Sequence, residues 1–401
     1  MVTLQKYENI VDDSVIYRLY KMGKNMYSKH IVNVNSTSQG GGVAEMLYTY
    51  IPLLNDIGVE CGWRILHGNF EFFNVTKKFH NGLQGEQVEL SHEEKKLYVQ
   101  TNENFSQISH FKHDLVEIHD PQPLPLINYY RKRQPWLWRC HIDLSKPDPM
   151  LWDWIKRFIL KYDVVIVSHE NYRKEDLPVE QRIIHPAIDP LTIKNREVTQ
   201  EEIDKIIAEF NIPMDKPIIT QVSRFDKWKD PLGVIEAYKL VREKTDCRLI
   251  LCGSMASDDP EGIQIYNQVV ASSQELIDSG DLMLIVKEDN LLVNVLQRIS
   301  SVIIQKSLRE GFGLTVTEAL WKGTPVVASN IGGIPLQIKE GVNGYLCEPN
   351  DIGGVAERII YLLEHESHAK ELGAAGRDYV RRNFLMTRLL LDYMRLFEEL
   401  L

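Results

Sequence analysis

Residues 301–319 read SVIIQKSLREGFGLTVTEA, and this stretch decides the fold of the chain. It begins with a short, continuously apolar run, which is typical of a strand covered on both faces. Two glycines, Gly311 and Gly313, separate that strand from the helix that follows. A strand that passes through a glycine turn into a helix is the repeating unit of parallel α/β sheets.

The same strand and helix alternation extends over nearly the whole chain and predicts parallel sheets with right-handed crossovers. The fold class is therefore α/β, with two doubly wound, Rossmann-like domains that we expect to face each other across a cleft. The predicted strands form two series: 31–35, 63–66, 115–119, 136–140, 164–168 and 182–184, and then 218–222, 248–251, 282–286, 301–304, 325–328 and 345–347.

The domain boundary is predicted between the two series of strands, near residues 188–195. We assign residues 1–190 to an N-terminal domain and residues 191–375 to a C-terminal domain. From about residue 355 onward the pattern predicts only helices, and we expect residues 376–401 to return to the N-terminal domain.

Composition excludes several classes of protein. The 401 residues carry a net charge of −10, with 44% hydrophobic and 25% charged residues, as in ordinary globular proteins. The acidic balance argues against nucleic acid or an anionic membrane as partner. None of the five cysteines forms a Cys-x-x-Cys pair, and the N-terminus lacks a signal-peptide core, so we expect free thiols and a cytoplasmic location.

The glycine turn in residues 301–319 is a candidate ligand site. Main-chain N–H groups at the start of a helix can hold phosphate oxygens, and open α/β sheets bind ligands at this edge. Two carboxylates, Glu310 and Glu318, flank the turn; they would repel phosphate, but they can accept hydrogen bonds from hydroxyls. The arrangement predicts a sugar nucleotide, and the alternative is that both acids only cap the helix or lie at the surface.

Two cations are available for the diphosphate of such a ligand. Arg224 and Lys229 follow the first predicted strand of the C-terminal domain, before a helix that starts at Pro231. A guanidinium fork and an ammonium both suit a diphosphate. Alternatively, each could be a surface salt-bridge partner of Asp226 or Asp230.

A second glycine turn, in residues 36–45, follows the first predicted strand and reads STSQGGGVAE. Gly41 and Gly42 let the main chain approach an anionic ligand at a helix start. The spacing is not that of a dinucleotide fingerprint, and a tight strand-to-helix turn is the alternative.

With these residues, the chain resembles the retaining GT-B glycosyltransferases of the glycogen-synthase and sucrose-synthase type. More narrowly, it is similar throughout to the trehalose glycosyltransferring synthases, which have the trehalose phosphorylases as close relatives. The segments that carry this resemblance are 34–45, 63–68, 72–85, 118–123, 138–143 and 305–323. Many relatives carry Glu after the Gly-Gly turn where this chain has Gln337.

The resemblance implies a glucosyl transfer from a UDP-, ADP- or GDP-glucose to free glucose, giving trehalose in a reaction that can be reversible. It assigns the diphosphate to Arg224 and Lys229, the donor sugar to Glu310 and the ribose to Glu318. The predicted catalytic residues are Arg224, Lys229, Glu310 and His141, and the predicted donor-binding residues are Gly41, Gly42, Arg224, Lys229, Gly311, Phe312, Gly313, Leu314, Thr315 and Glu318.

The N-terminal domain is expected to bind the acceptor. Two predicted strands end in His-plus-Asp pairs, and a polar helix face carries side chains spaced by three, four and seven residues. A structural histidine and a solvated helix face are the alternatives. The predicted acceptor-binding residues are His67, Lys77, His80, Asn81, Gln84, His119, Asp120 and Asp143.

Other properties stay open at the level of sequence. No Asp-x-Asp motif is present, so no metal is required, although Mg²⁺ could act as an activator. The nucleobase, the favoured direction and the oligomeric state, for which a homodimer is one option, are not determined. A two-carboxylate glycosidase would not explain the phosphate-binding turn. A trehalose phosphorylase and a non-catalytic sugar-nucleotide sensor are the competing functions.

Overall fold

The computed structural model describes residues 2–38, 41–253 and 260–401 and divides into two compact units. Unit 1 comprises Met1–Ala187 together with Met386–Leu401, and unit 2 comprises Ile188–Leu385. The first boundary between the units therefore follows Ala187, whereas the sequence predicted it after residue 190. The chain returns to unit 1 at Met386, whereas the sequence predicted this return at residue 376.

Unit 1 is built on a six-stranded parallel sheet with strand order β2-β1-β3-β4-β5-β6. Its central strands are buried along their whole length, as expected for a sheet covered by helices on both faces. The strands are β1 (His30–Asn35), β2 (Glu60–Ile65), β3 (Leu115–His119), β4 (Trp136–Arg139), β5 (Val164–Val167) and β6 (Glu180–Ile183).

Three helices of unit 1, those that start at Phe70, His92 and Pro149, begin at side-chain caps. A capping box at Ser91 starts α4, and Asp148 caps α5 just before a proline in its first turn. The first five helices are α1 (Asp13–Asn25), α2 (Gly42–Asp56), α3 (Phe70–Leu83), α4 (His92–Ile108) and α5 (Pro149–Ile159).

Unit 2 has a second six-stranded parallel sheet, with strand order β12-β11-β10-β7-β8-β9. The twelve strands predicted from the sequence are thereby confirmed, with ends that differ by a few residues. The strands of unit 2 are β7 (Ile218–Val222), β8 (Arg248–Gly253), β9 (Leu282–Val286), β10 (Val302–Gln305), β11 (Val326–Ser329) and β12 (Tyr345–Cys347).

Eight helices belong to the described part of unit 2. Helix α7 starts at a proline behind the cap residue Asp230, as the sequence predicts. The helices are α6 (Gln200–Glu209), α7 (Pro231–Arg242), α8 (Pro260–Ser272), α9 (Gln274–Asp278), α10 (Asn290–Ile299), α11 (Leu314–Trp321), α12 (Ile352–Glu364) and α13 (Glu366–Asn383).

The last helix, α14 (Met386–Leu400), returns to unit 1, where it packs against α1 and α2. Tyr393 of α14 is fully buried and lies against Tyr50 of α2, with ring centroids 4.9 Å apart. Its hydroxyl donates a 2.6 Å hydrogen bond to Glu117 in the middle of β3. The core of unit 1 is therefore completed by residues far away in the sequence. Within the described ranges, no helix has the length and apolarity that a membrane crossing demands.

Candidate functional site

The loop after β7 carries the two predicted cations of the donor site. The carboxylate of Asp226 accepts hydrogen bonds from the main-chain N–H groups of Trp228 and Lys229, at 2.9 and 3.1 Å, and shapes the loop into a short 3-10 turn. Arg224 lies 3.1 Å from Asp226, and 49% of its side chain is exposed. The salt-bridge partner considered for Arg224 is thus present, while much of the guanidinium stays accessible.

Lys229 does not pair with Asp230, the partner considered from the sequence. Its ammonium lies 2.5 Å from the Oε2 atom of Glu310, which also accepts a 3.3 Å hydrogen bond from Ser307. This contact brings together two predicted catalytic residues that are 81 positions apart. Both side chains are mostly buried, so the attraction between the charges is weakly screened by solvent.

Asp230 instead pairs with Lys306, the residue that follows β10 and was not singled out from the sequence. Only 2% of the Lys306 side chain is exposed. Asp230 has a positive φ of 48° and accepts a hydrogen bond from Gly233, which caps α7. Gln221 connects the same two loops, because its amide donates to the Lys229 carbonyl and accepts from the Lys306 N–H.

The turn before α11 leads into a helix whose first N–H groups lack acceptors among the described residues. Gly313 has φ +82°, and a Cβ atom there would lie 3.2 Å from Glu310 and from Ile334. The N–H groups of Leu314 and Thr315 make no hydrogen bond within the described part of the chain. N–H groups in the first turn of a helix have no acceptor within the helix, and they lie at the positive end of the helix dipole.

Gln337 fixes this turn from behind, a role the sequence did not reveal. It is fully buried; its amide donates a 2.5 Å hydrogen bond to the Phe312 carbonyl and accepts one of the same length from the Thr317 hydroxyl. The Phe312 side chain packs in the interior against Phe384, so it is part of the scaffold of the turn.

Glu318, the predicted ribose ligand, is buried on α11 beside two lysines. The Lys194 ammonium lies 3.9 Å from its carboxylate. Lys322, one turn further along, donates hydrogen bonds to Asn195 at 3.0 Å and to Gln297 at 2.7 Å, and burial lowers its pKa. Neither lysine was singled out from the sequence, because each looks like an ordinary surface cation there.

The glycine turn of unit 1 is described at residues 36–38 and again from Gly41 onward. Residues 39 and 40, which the sequence motif includes, lie outside the described residues. Gly41 has φ +83° and precedes α2, which begins at Gly42, and a Cβ on Gly41 would meet no atom of the described residues within 4 Å. The open surroundings are compatible with close approach of a ligand.

His119 is the last residue of β3, His141 lies two residues beyond the end of the neighbouring β4, and the two side chains contact each other directly. Their rings stack with centroids 5.4 Å apart, and the Nδ1 atom of His119 lies 3.1 Å from the Nε2 atom of His141. Asp120, with φ +60°, accepts a 2.8 Å hydrogen bond from the His141 main chain. Burial lowers the pKa of both histidines and raises that of Asp120 to about 6.

The remaining predicted acceptor residues are more scattered. Asp143 is buried and holds the N–H of Ser145 at 2.7 Å, which is a structural contact. His67 is exposed just beyond β2. The polar face of α3 is confirmed as helical for three of the four residues, while the fourth caps the helix; these are Lys77, His80, Asn81 and Gln84.

The fold places the protein among the GT-B glycosyltransferase structures. α,α-Trehalose 6-phosphate synthase from Burkholderia multivorans superposes with a TM-score of 0.74 at 15% identity, covering 93% of this chain and 99% of that one. HepE from Anabaena, solved in complex with UDP and glucose, gives a TM-score of 0.70 at 15% identity over 93% and 100% of the two chains.

Sequence comparison defines the family within this class. Residues 33–174 match the family described as trehalose synthase, N-terminal domain, and residues 202–379 match glycosyl transferases group 1. Trehalose synthase from Thermococcus litoralis is 45% identical over 98% of this chain and 96% of its own length. Trehalose phosphorylase from Pleurotus pulmonarius is 30% identical, over 86% of this chain and 54% of the relative. The chain belongs to the trehalose synthase family of glycosyltransferases.

Proposed function

We propose that the protein transfers the glucosyl group of a nucleoside-diphosphate glucose to free glucose, forming trehalose with retention at the donor anomeric carbon. In this reaction the C1–O bond to the diphosphate breaks and a bond from C1 to the acceptor oxygen forms. The acceptor proton leaves with the nucleoside diphosphate. The reverse reaction follows the same path.

The observation that carries this proposal is the convergence of donor-site chemistry at the C-terminal ends of β7 and β10. Arg224, Lys229 and the N–H groups at the start of α11 supply positive charge and hydrogen-bond donors for a diphosphate leaving group. Glu310 and Glu318 supply acceptors for sugar hydroxyls. One structural neighbour supports this ligand class, since HepE was solved with UDP and glucose.

The Lys229–Glu310 contact suggests how the donor is received. When a diphosphate binds the Lys229 ammonium, the Glu310 carboxylate is released from this contact and can accept a hydrogen bond from a sugar hydroxyl. No protein nucleophile is invoked: the leaving diphosphate accepts the proton of the acceptor hydroxyl, and the side chains stabilise charge and orient both sugars. We infer that the reaction requires no resident metal ion and that Mg²⁺ acts as an activator by binding the diphosphate of the donor.

A product assay tests the proposal. Purified protein is incubated with glucose and UDP-, ADP- or GDP-glucose, with Mg²⁺ or with EDTA, and the sugars and nucleotides are separated. We expect trehalose and nucleoside diphosphate in equal amounts, and the ranking of donors identifies the base. Glucose 1-phosphate from trehalose and phosphate, without any nucleotide-dependent product, would instead support the phosphorylase. Donor binding without turnover would support the sugar-nucleotide sensor.

A further inference from the structure

A chain of four polar side chains runs through the interior of unit 1 and ends at His141. The Asn33 amide nitrogen lies 3.1 Å from the Cys61 sulfur, and its oxygen lies 2.8 Å from the Nε2 atom of His119. The Nδ1 atom of His119 contacts Nε2 of His141 at 3.1 Å. Asn33 and His119 are almost completely buried, so this chain has no solvent to complete its hydrogen bonds.

The surroundings of His119 determine which nitrogen carries its hydrogen. Its Nε2 atom faces the Asn33 oxygen and, at 3.9 Å, the Oε1 atom of Glu117. A lone pair there would point at two oxygens, so Nε2 carries the hydrogen and donates to Asn33. The Asn33 amide is oriented from its other end, where its nitrogen donates a hydrogen bond to the Cys61 sulfur and leaves the oxygen for His119.

The remaining hydrogen positions follow from neutrality. Burial and the nearby Arg139 guanidinium lower the pKa of His119 to about 3, so its ring is neutral and holds one hydrogen. Its Nδ1 atom must then accept a hydrogen bond, and the donor is Nε2 of His141. His141 is also neutral, since burial lowers its pKa well below the usual range. Its Nδ1 atom therefore carries a lone pair.

We propose that Asn33 and His119 are positioning residues that hold His141 in the Nε2–H tautomer, so that its Nδ1 atom accepts a hydrogen bond from a sugar hydroxyl. This Nδ1 atom makes no hydrogen bond within the described ranges of the chain. Asp120 and the ring stack fix the position of His141. The sugar ligand rests on the proposed function; the tautomer does not.

The proposal has a consequence for specificity. A lone pair on a neutral imidazole attracts a group that donates hydrogen, and every free sugar hydroxyl does so. A phosphate ester near neutral pH is largely a dianion whose oxygens only accept, so it is repelled at this position. The hydroxyl that faces His141 must therefore be unphosphorylated.

The tautomers can be observed directly by ¹⁵N NMR. Protein labelled with ¹⁵N-histidine gives two-bond ¹H–¹⁵N correlations that separate Nδ1–H, Nε2–H and imidazolium forms. The signals of His119 and His141 are assigned by substituting each in turn. We expect the Nε2–H form for both residues at pH 7. An Nδ1–H form or an imidazolium at His141 would overturn the proposal, whether or not the protein makes trehalose.

Variants of His119 separate positioning from simple structural support. His119→Asn keeps an acceptor oxygen near the former Nδ1 atom, and His119→Leu removes it, so we expect His119→Asn to retain more activity than His119→Leu. Losing one such hydrogen bond corresponds to roughly a tenfold lower kcat/KM for the sugar. The exposed His30→Leu, on β1, is the matched control.

The same variants have an NMR outcome that a structural defect would not reproduce. In folded His119→Leu protein, His141 is expected to lose its exclusive Nε2–H form and to show both tautomers, whereas His119→Asn should retain it. A folded His119→Leu protein with an unchanged His141 tautomer and unchanged kcat/KM would refute the positioning role. If the unsubstituted protein shows the expected tautomers but no transferase activity, only the proposed function is refuted.

Discussion

Replacing Glu117 by Gln should remove a pH-dependent loss of folding stability that originates in the centre of unit 1. The Glu117 side chain is fully buried on β3; Oε1 accepts from Tyr393, while Oε2 has no hydrogen-bond partner within the described residues. Burial raises its pKa from 4.5 to about 7, against the opposing effects of Tyr393 and Arg139. Gln resembles the protonated acid and cannot ionise.

The sign follows from proton linkage. A carboxyl group whose pKa is higher in the folded state than in the unfolded state favours folding when protonated, and this advantage is lost as the pH rises through 4.5 to 7. A shift of this size corresponds to about 3 kcal/mol of unfolding free energy at full ionisation. The original protein should therefore lose about 2 to 3 kcal/mol more than Glu117→Gln between pH 5 and pH 8.

The assay is urea unfolding followed by tryptophan fluorescence at several pH values. Unit 1 dominates this signal, because it contains five of the seven tryptophans: Trp63, Trp136, Trp138, Trp152 and Trp154. The exposed Glu89→Gln serves as the control for a lost negative charge. Parallel stability curves for the original protein and Glu117→Gln across pH 5 to 8 would refute the reasoning.

Three further outcomes follow from the donor-side residues of unit 2. Arg224→Ala should lower turnover by an amount equivalent to about 3 kcal/mol, and near-normal kcat in folded protein would remove Arg224 from the site. Asp230→Asn keeps the helix cap but leaves the buried Lys306 without its counter-charge, so the free energy of unfolding in urea should fall by about 3 kcal/mol. Lys306→Met removes the buried charge itself and should cost less than about 1 kcal/mol. Equal losses for the two variants would contradict this reasoning. Gln337→Leu should cost about 2 kcal/mol in the same assay and raise the KM of the donor, and an unchanged KM would argue against its support of the glycine turn.

The fold was predictable because its strands are short apolar runs between helices. All twelve strands could be placed from this pattern, since a parallel strand covered on both faces tolerates few polar residues. The exceptions were informative in retrospect. Asn33 and Glu117 interrupt apolar strands, and each proves to be a buried polar group with a specific partner.

The site was predictable only where residue type and position coincide with a glycine turn or a strand end. Arg224 and Lys229 stand out there, but the ionic partner of Lys229 depends on a contact between loops 81 positions apart. Lys306 and Lys322 were missed for the same reason. Their burial distinguishes them from surface lysines, and burial depends on the tertiary structure. The roles assigned to the site residues stay predictions.

The discontinuity of unit 1 has a consequence for synthesis on the ribosome. Residues 386–401 emerge after the whole of unit 2, yet they provide the helix that covers α1 and α2 and the hydroxyl that meets Glu117. Unit 2 is contiguous and can acquire its core while translation continues, whereas unit 1 must wait with part of its apolar surface uncovered. The nascent chain should therefore need protection longest at its N-terminal half, which is translated first and completed last.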